Sequence, residues 1–246
     1  VAKAYIQISL DEVPHVDVAK VEDALKSVPP WQRAMRRTGI PAFGSGAIYP
    51  VPEEDVVVTN FDIPAHWPRV FGFDVGWQVN AAVWGAHDRS TDILYIYDEL
   101  YKGKTEPSLI AASIKSRGAW IPGVIDPASS GSGQRDGKKL IEDYRDTHSL
   151  DVKPADNAIT TGLSRVWERL SQGRLKIFRS CQKLLGEYRL YRRDERGNIV
   201  ASPDHALDAL RYLVMSGLDR AITEPKQPKP GEKPWWYVRP PAVWAG

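Results

Sequence analysis

Three aspartates stand where a carboxylate needs a reason. Asp74 closes the run FGFDVG, with Gly76 leaving the backbone open beside it, and Asp126 closes VIDP. Asp208 lies among Ala206, Leu207, Ala209, Leu210 and Leu213, where an acid should destabilise an apolar helix. Each has a plainer alternative. Asp74 could cap a strand-to-hairpin turn, and Asp126 could start an Asp-Pro turn. Asp208 could form a surface pair with Arg211, which would be worth little. If instead the three converge, they form an oxygen-only site for hard divalent cations. Two Mg²⁺ or Mn²⁺ ions, ~3.5–4 Å apart, can activate water and stabilise a leaving oxygen in phosphodiester hydrolysis. Asp204 is one turn before Asp208 on the same face, where the helix macrodipole already favours an anion. His205 could orient a carboxylate or a water, or simply be a surface histidine. Zinc is disfavoured, because no Cys/His cluster has ligand spacing.

Positioning those groups requires a sheet. RVFGFDVG (69–76), NAAVWGAH (80–87) and DILYIYDEL (92–100) are short apolar or alternating runs separated by turn residues, which predicts three strands joined as hairpins. PSLIAASIKS (107–116) has helical spacing, WIPGVIDP (120–127) reads as a buried strand, and KKLIEDYRD (138–146) as a helix. LDVKPA (150–155) predicts a further strand, TGLSRVWERLSQG (161–173) a helix ended by Gly173, and RLKIF (174–178) is followed by a short helix. YRRDERGNIVAS (191–202) carries a hairpin-like RGN turn. SPDHALDALRYLVMSGL (202–218) predicts a helix with Ser202 as N-cap and Pro203 as first residue. This order predicts an α/β fold, a ribonuclease H-like mixed sheet of three antiparallel strands and then parallel ones, flanked by helices. In such a sheet the strands ending at Asp74 and Asp126 are parallel neighbours, ~4.8 Å apart. Two carboxylates that close repel unless one is protonated or a cation intervenes.

The predicted organisation is a connector over residues 1–60, a domain over 61–218 and a Pro/Trp-rich tail over 219–246. GIPAFGSGAIYPVPEE (39–54) is dense in Gly and Pro and reads as connector rather than core. The tail holds Trp235, Trp236 and Trp244 and is expected to lack a core of its own. Trp31, Trp77, Trp84, Trp120 and Trp167 are read as core or hinge packing. A 42% hydrophobic content over 246 residues is enough for a real core, and the single Cys181 excludes an intramolecular disulfide. The start at Val1 is what a piece of a longer chain would show. No apolar run approaches the ~20 residues that span a bilayer, so no membrane partner is expected. The net charge of +2 hides an asymmetry: residues 165–196 hold ten basic side chains against four acidic ones. Such a segment is either a phosphate footprint or a solvated face. SGSGQRDGKK (130–139) is not a P-loop, since the glycine spacing is wrong and Lys139 stands where Ser or Thr is needed. No G-x-S-x-G supports a serine hydrolase.

With these motifs in order, the chain resembles the C-terminal nuclease portion of the large terminase subunit of tailed bacteriophages. FGFDVG, YDELY (97–101), VIDPASSGSG (124–133) and DHALDALRY (204–212) look like that family's nuclease motifs. LDEVPHVD (10–17) and the segment 28–55 look like its link from an ATPase to a nuclease domain. The resemblance implies a metal-dependent endonuclease that cuts concatemeric double-stranded viral DNA during packaging, in the host cell cytoplasm. By motif position Asp74, Asp126 and Asp208 take the catalytic, metal-binding roles, with two Mg²⁺ or Mn²⁺ ions. His205 and Asp204 take supporting roles, and Glu99 matches the acidic motif but is expected only to support the sheet edge. Arg189, Arg192, Arg193 and Arg196 are expected to hold duplex DNA. The implied partners are that DNA, the small terminase subunit, the portal protein of the procapsid and an ATPase domain upstream in the same polypeptide. The ATPase half is missing from this sequence. The alternatives that remain are another ribonuclease H-like nuclease, such as a resolvase or transposase core, and a non-catalytic module that docks on DNA or portal.

Overall fold

Two runs buried almost throughout, Arg69–Asp74 and Asn80–Asp88, and an alternating one, Ile93–Lys102, produce the centre of a seven-stranded sheet. The computed structural model describes residues 46–130, 139–194, 197–200 and 203–225, together with Lys20 and Asp23. In chain order, a helical turn, α1 (Glu53–Val56), runs into β1 (Val57–Val58). The strands β2 (Arg69–Asp74), β3 (Asn80–Asp88) and β4 (Ile93–Lys102) follow, and then α2 (Pro107–Lys115). The alternation of strand and helix continues with β5 (Gly123–Ile125), α3 (Leu140–Glu142), β6 (Val152–Pro154) and α4 (Ile159–Ser171). β7 (Leu175–Phe178), α5 (Gln182–Leu190) and α6 (His205–Tyr212) complete the set.

The sheet order is β1-β7-β4-β3-β2-β5-β6. β3 is antiparallel to both neighbours, while β5 pairs parallel to β2, β6 to β5, β7 to β4 and β1 to β7. The predicted mixed ribonuclease H-like sheet is therefore present, and β3 alone runs against the rest. All the parallel strands end at one edge. Helices cover both faces: Leu163, Val166, Leu184, Leu207 and Leu210 pack on one, and Ile110, Ile114, Ile141 and Tyr144 on the other. Consecutive residues of β2 serve opposite layers, Val70 the first and Phe71 the second, as the strand's period of two requires.

A bulge in β4 decides which acid faces which layer. Trp84 pairs with Asp98 and Gly85 with Ile96, so Tyr97 is an extra residue. Before it, Leu94 and Ile96 face the α4–α6 layer; after it, Leu100 faces the α2 layer. Glu99 and Tyr101 consequently point toward α5 and α6.

Several predicted boundaries move. The strand expected over 120–127 is only three residues long, and the two helices expected over 138–146 and 202–218 each end in a wider π-type turn, Asp143–Thr147 and Leu213–Gly217. The last helix starts at His205 with Asp204 in the N-cap position, not at Pro203; Ser202 lies outside the described residues. Residues 46–58 differ from a connector. Ile48, Tyr49 and Val56 are buried in the core, and Tyr49 stacks on Tyr188 at 6.1 Å between ring centroids. Their backbone is held by Ile48 N–H to Tyr191 O (3.0 Å) and Arg193 N–H to Gly46 O (2.8 Å). Gly and Pro mark the absence of regular structure, but a segment without its own helix can still bury side chains by pairing with a neighbour. Past α6, Ala221 is buried and Ile222 pairs with Arg69. Trp235, Trp236, Trp244 and Trp31 lie outside the described residues. Trp84 is fully buried as expected, whereas Trp77 is exposed. Among the described residues, no helix is long and apolar enough to cross a membrane.

Candidate active site

Parallel pairing of β2 with β5 puts Phe73 opposite Ile125, and the ladder continues with Asp126 N–H donating to Phe73 O at 2.8 Å. Asp74 and Asp126 thus leave neighbouring strand ends, as the sequence predicts. The third carboxylate arrives from above. Helix α6 crosses β2 so closely that a Cβ built on Gly72 would stand 2.0 Å from Ala209 O. No side chain other than hydrogen fits there, so the Gly72 of FGFDVG is what lets the helix bearing Asp208 settle over the strand bearing Asp74.

Each carboxylate is held by its own donors. Asp74, buried, accepts from His205 Nδ1 at 2.9 Å. Asp126, half-buried, accepts from Ala128 N–H (2.9 Å) and the Tyr212 hydroxyl (3.3 Å). Asp208 Oδ1 accepts from Arg211 Nε (3.1 Å) and Nη2 (2.9 Å). That pair is not the weak surface contact the spacing allowed. Arg211 is 2% exposed, donates also to Asn157 Oδ1 at 3.1 Å, and its guanidinium lies 4.6 Å from the Tyr212 ring centroid. Gly162 of α4 makes room for its stem, since a Cβ there would meet Arg211 Cγ at 2.6 Å.

The electrostatics report the convergence. Burial pushes the Asp74 carboxyl up to about 7; the His205 hydrogen bond opposes this, and the charges of Asp208 and Asp126 add to it. Asp204 is also raised, by burial first and then by Asp208. Two acids raised in part by the charges of neighbouring acids mark a place short of positive charge. Oxygen donors in that state suit a hard divalent cation by type and by charge. Each carboxylate is nevertheless turned to its own protein donor, and among the described residues no three His, Cys, Asp or Glu side chains are already gathered to hold an ion. A cation would compete with Arg211 for Asp208 and with Tyr212 for Asp126.

Sequence reasoning missed the groups that hold this edge in place. Glu187, 5% exposed, accepts from the Tyr101 hydroxyl (3.0 Å) and from Ala206 and Leu207 N–H (2.8 and 3.1 Å). Glu99 accepts from Lys183 and Leu184 N–H at 2.8 and 2.9 Å, so it caps α5 rather than merely edging the sheet. Nothing local in the sequence signals the Glu187 contact. The Asp208–Arg211 pair is visible in the spacing, but its burial is not, since that depends on Gly162 and Asn157 from remote segments.

The predicted DNA-contacting arginines do not form one open surface. Arg189 is forked onto Glu53, with Nε and Nη2 each 2.6 Å from an oxygen, and that bond holds the Glu53 carboxyl below its usual range. Arg193 Nη1 donates to Gly197 O at 2.8 Å, while Arg192 is exposed. Arg196 lies outside the described residues. The expected hairpin is present: Arg193 pairs with Ile199, and Gly197 takes φ +84° at the turn. Arg169 and Arg174, from the same basic segment, bind Asp92 at the opposite edge of the sheet.

This fold has known counterparts. The large terminase subunit of Salmonella phage P22 is 28% identical over 238 residues, covering 91% of this chain and 47% of the relative. The chain therefore spans about half the length of the curated relatives it matches. The solved nuclease domain of the P22 large terminase is 27% identical with a TM-score of 0.64, covering 73% of this chain and 96% of that one. The large terminase nuclease domain of bacteriophage SPP1, solved with bound Mn, shares the fold at 18% identity and a TM-score of 0.50, over 66% of this chain and 96% of that one. Residues 72–216, more than half of the sequence, match the family described as the terminase RNase H-like domain, and the chain belongs to that family.

Proposed function

We propose that this chain is the metal-dependent endonuclease part of a phage DNA-packaging terminase, cutting concatemeric double-stranded viral DNA by two-metal-ion hydrolysis with Mg²⁺ or Mn²⁺. The observation that supports the reading best is that Asp74, Asp126 and Asp208 approach one sheet edge, from two adjacent strand ends and the helix that Gly72 admits, near enough for the charges of Asp126 and Asp208 to act on Asp74. The Mn bound in the SPP1 nuclease domain supports the choice of ion. When bound, such ions activate water and neutralise charge on the leaving oxygen.

The chain's own side chains do the remaining work. Asp74, Asp126 and Asp208 hold the ions. His205 orients the Asp74 carboxylate through Nδ1, and Asp204 adds negative charge beside them. Arg211 and Tyr212 set the carboxylates of Asp208 and Asp126. Arg192, Arg193 and Arg196, just before α6, take duplex phosphates several base pairs from the cut, because the acids themselves repel a polyanion. Such contacts read no bases, so cutting has little sequence preference. The small terminase subunit, the portal and the upstream ATPase domain are partners of the whole protein, which works in the host cell cytoplasm; the Trp-rich tail beyond residue 224 is the segment we assign to the portal.

The test is cleavage of linear duplex DNA in Mn²⁺ and in chelator. Cleavage should require the metal, and Asp126→Asn should reduce it to background with melting temperature little changed. Full cleavage by Asp126→Asn would refute the assignment. Preference for branched over linear duplex would favour a resolvase, and metal-dependent binding without cleavage would favour a docking module.

A further inference from the structure

We infer that Glu187 is a positioning residue of this site, and that the helix bearing Asp208 is held by two carboxylate caps in series running back to β4. The inference rests on the reading of that site as a metal-dependent nuclease.

The start of a helix leaves N–H groups without intrahelical acceptors, and the N-cap side chain usually takes one. At α6 the N-cap residue is Asp204, yet its carboxylate makes no capping bond. Glu187, from α5, supplies the acceptor instead: Oε2 takes the N–H groups of Ala206 and Leu207. Its other oxygen takes the Tyr101 hydroxyl, and Tyr101 in turn lies edge-on to His205 at 6.4 Å between ring centroids. Burial raises the Glu187 carboxyl, and the hydrogen bonds from the two amides and the phenol work against that rise. A buried acid so satisfied is an expensive way to finish a helix when the adjacent Asp204 could do it. The arrangement does what a local cap could not. It leaves Asp204 and His205 to face Asp208 and Asp74, and it ties the helix to a residue of β4.

The same device appears one step back. At α5 the N-cap residue is Cys181, with no side-chain cap, and Glu99 supplies the acceptor through both oxygens. Glu99 and Tyr101 are two apart on β4 and share a face, the face that the bulge at Tyr97 selects. Strand β4 therefore grips α5 through Glu99 and α6 through Tyr101 and Glu187. Where Asp208 stands relative to Asp74 depends on both grips.

The 246-residue chain, with Mn²⁺ alone as probe, tests this by calorimetric Mn²⁺ titration, supported by cleavage and melting temperature. Glu187→Ala should weaken Mn²⁺ binding about tenfold, the lower end of what removing the outer partners of metal ligands produces. Glu187→Gln, which keeps an acceptor for the two amides, should bind within about threefold of the unaltered chain. Arg174→Ala, at the far edge, should lower the melting temperature without moving Mn²⁺ affinity, which separates positioning from general stability. A folded Glu187→Ala with unaltered Mn²⁺ affinity overturns the inference. Should that variant fail to fold, Tyr101→Phe decides: a rise of about threefold in Kd supports the inference and an unchanged Kd overturns it. If the unaltered chain binds no Mn²⁺, the nuclease reading itself falls and takes this inference with it; binding that Glu187→Ala leaves intact removes the inference alone.

Discussion

The two edges of the sheet use the same residue types to opposite ends. At the far edge, Asp92 in the β3–β4 turn is ringed by His87 (2.8 Å), Arg174 (2.5 Å) and Arg169 (3.4 Å). The hydrogen bond from His87 draws its carboxyl down to about 2 against the effect of burial, with help from both arginines. At the near edge, Asp74 has one histidine and two further acids for company, and burial pushes it up to about 7. One cluster closes its charge within the protein. The other leaves a deficit that a cation from outside can fill, as the function proposed for it requires.

The contrast can be broken most severely at Gly72. Gly72→Ala would drive a methyl into Ala209 O, so α6 must shift. We expect loss of metal-dependent cleavage together with about 3 kcal/mol of stability, the upper range for overpacking. Gly186 offers the control: nothing lies within 4 Å of a Cβ built there and it sits inside a helix, so Gly186→Ala should leave cleavage unchanged and raise stability by about 0.5–1 kcal/mol. Cleavage and stability assays on the two proteins check this, and an active Gly72→Ala would show that α6 does not need its close seat.

The second effect is on pH dependence, and the two edges should slope in opposite directions. An unperturbed Asp titrates near about 3.9. Asp92, drawn down to about 2, binds protons less readily folded than unfolded. Its stabilising contribution is complete above about pH 4 and disappears as pH falls toward 2. Asp74, pushed up to about 7, binds protons more readily folded. In chelator, the protein should therefore lose stability as pH rises from about 4 through 7. Asp74→Asn should flatten the second slope and Asp92→Asn the first, measured as melting temperature against pH. Because Asp92 is partly solvent-exposed, its contribution should be small.

The smallest effect concerns DNA. Changing Arg192 and Arg193 together to Ala should reduce the log–log salt dependence of duplex binding by ~0.9 for each phosphate no longer neutralised. The pair Arg169→Ala and Arg174→Ala, from the same basic segment, should leave that slope unchanged and lower stability instead. Equal slopes in both double variants would place the DNA path elsewhere.

The strands, the helices between them and the three aspartates were legible in the sequence because each rests on a local signal. Strand alternation, helical spacing, Gly173 at a helix end and an acid in an apolar helix all act over a few residues. The convergence of Asp74 and Asp126 also followed, since the predicted order makes their strands parallel neighbours. What could not be read was where elements without periodicity would pack. Gly46 and Ile48 are tied by backbone hydrogen bonds to Arg193 and Tyr191, far along the chain, and this pairing seats Ile48 and Tyr49 in the core. The basic segment could be read as a phosphate footprint or as a solvated face, because charge can be counted along a chain but its partners cannot: Arg169 and Arg174 turn to Asp92 while Arg189 takes Glu53.

By itself, then, the sequence determined the element order, the strands and the choice of candidate acids, all consequences of backbone periodicity and side-chain type. Tertiary structure alone decided that Arg211 would be buried, that Glu187 and Glu99 would cap helices from outside their first turns, and that Gly72 would stand under Ala209. The reason is physical. A capping bond or a close approach depends on distances between segments remote in the chain, and those exist only once the sheet has brought the segments together.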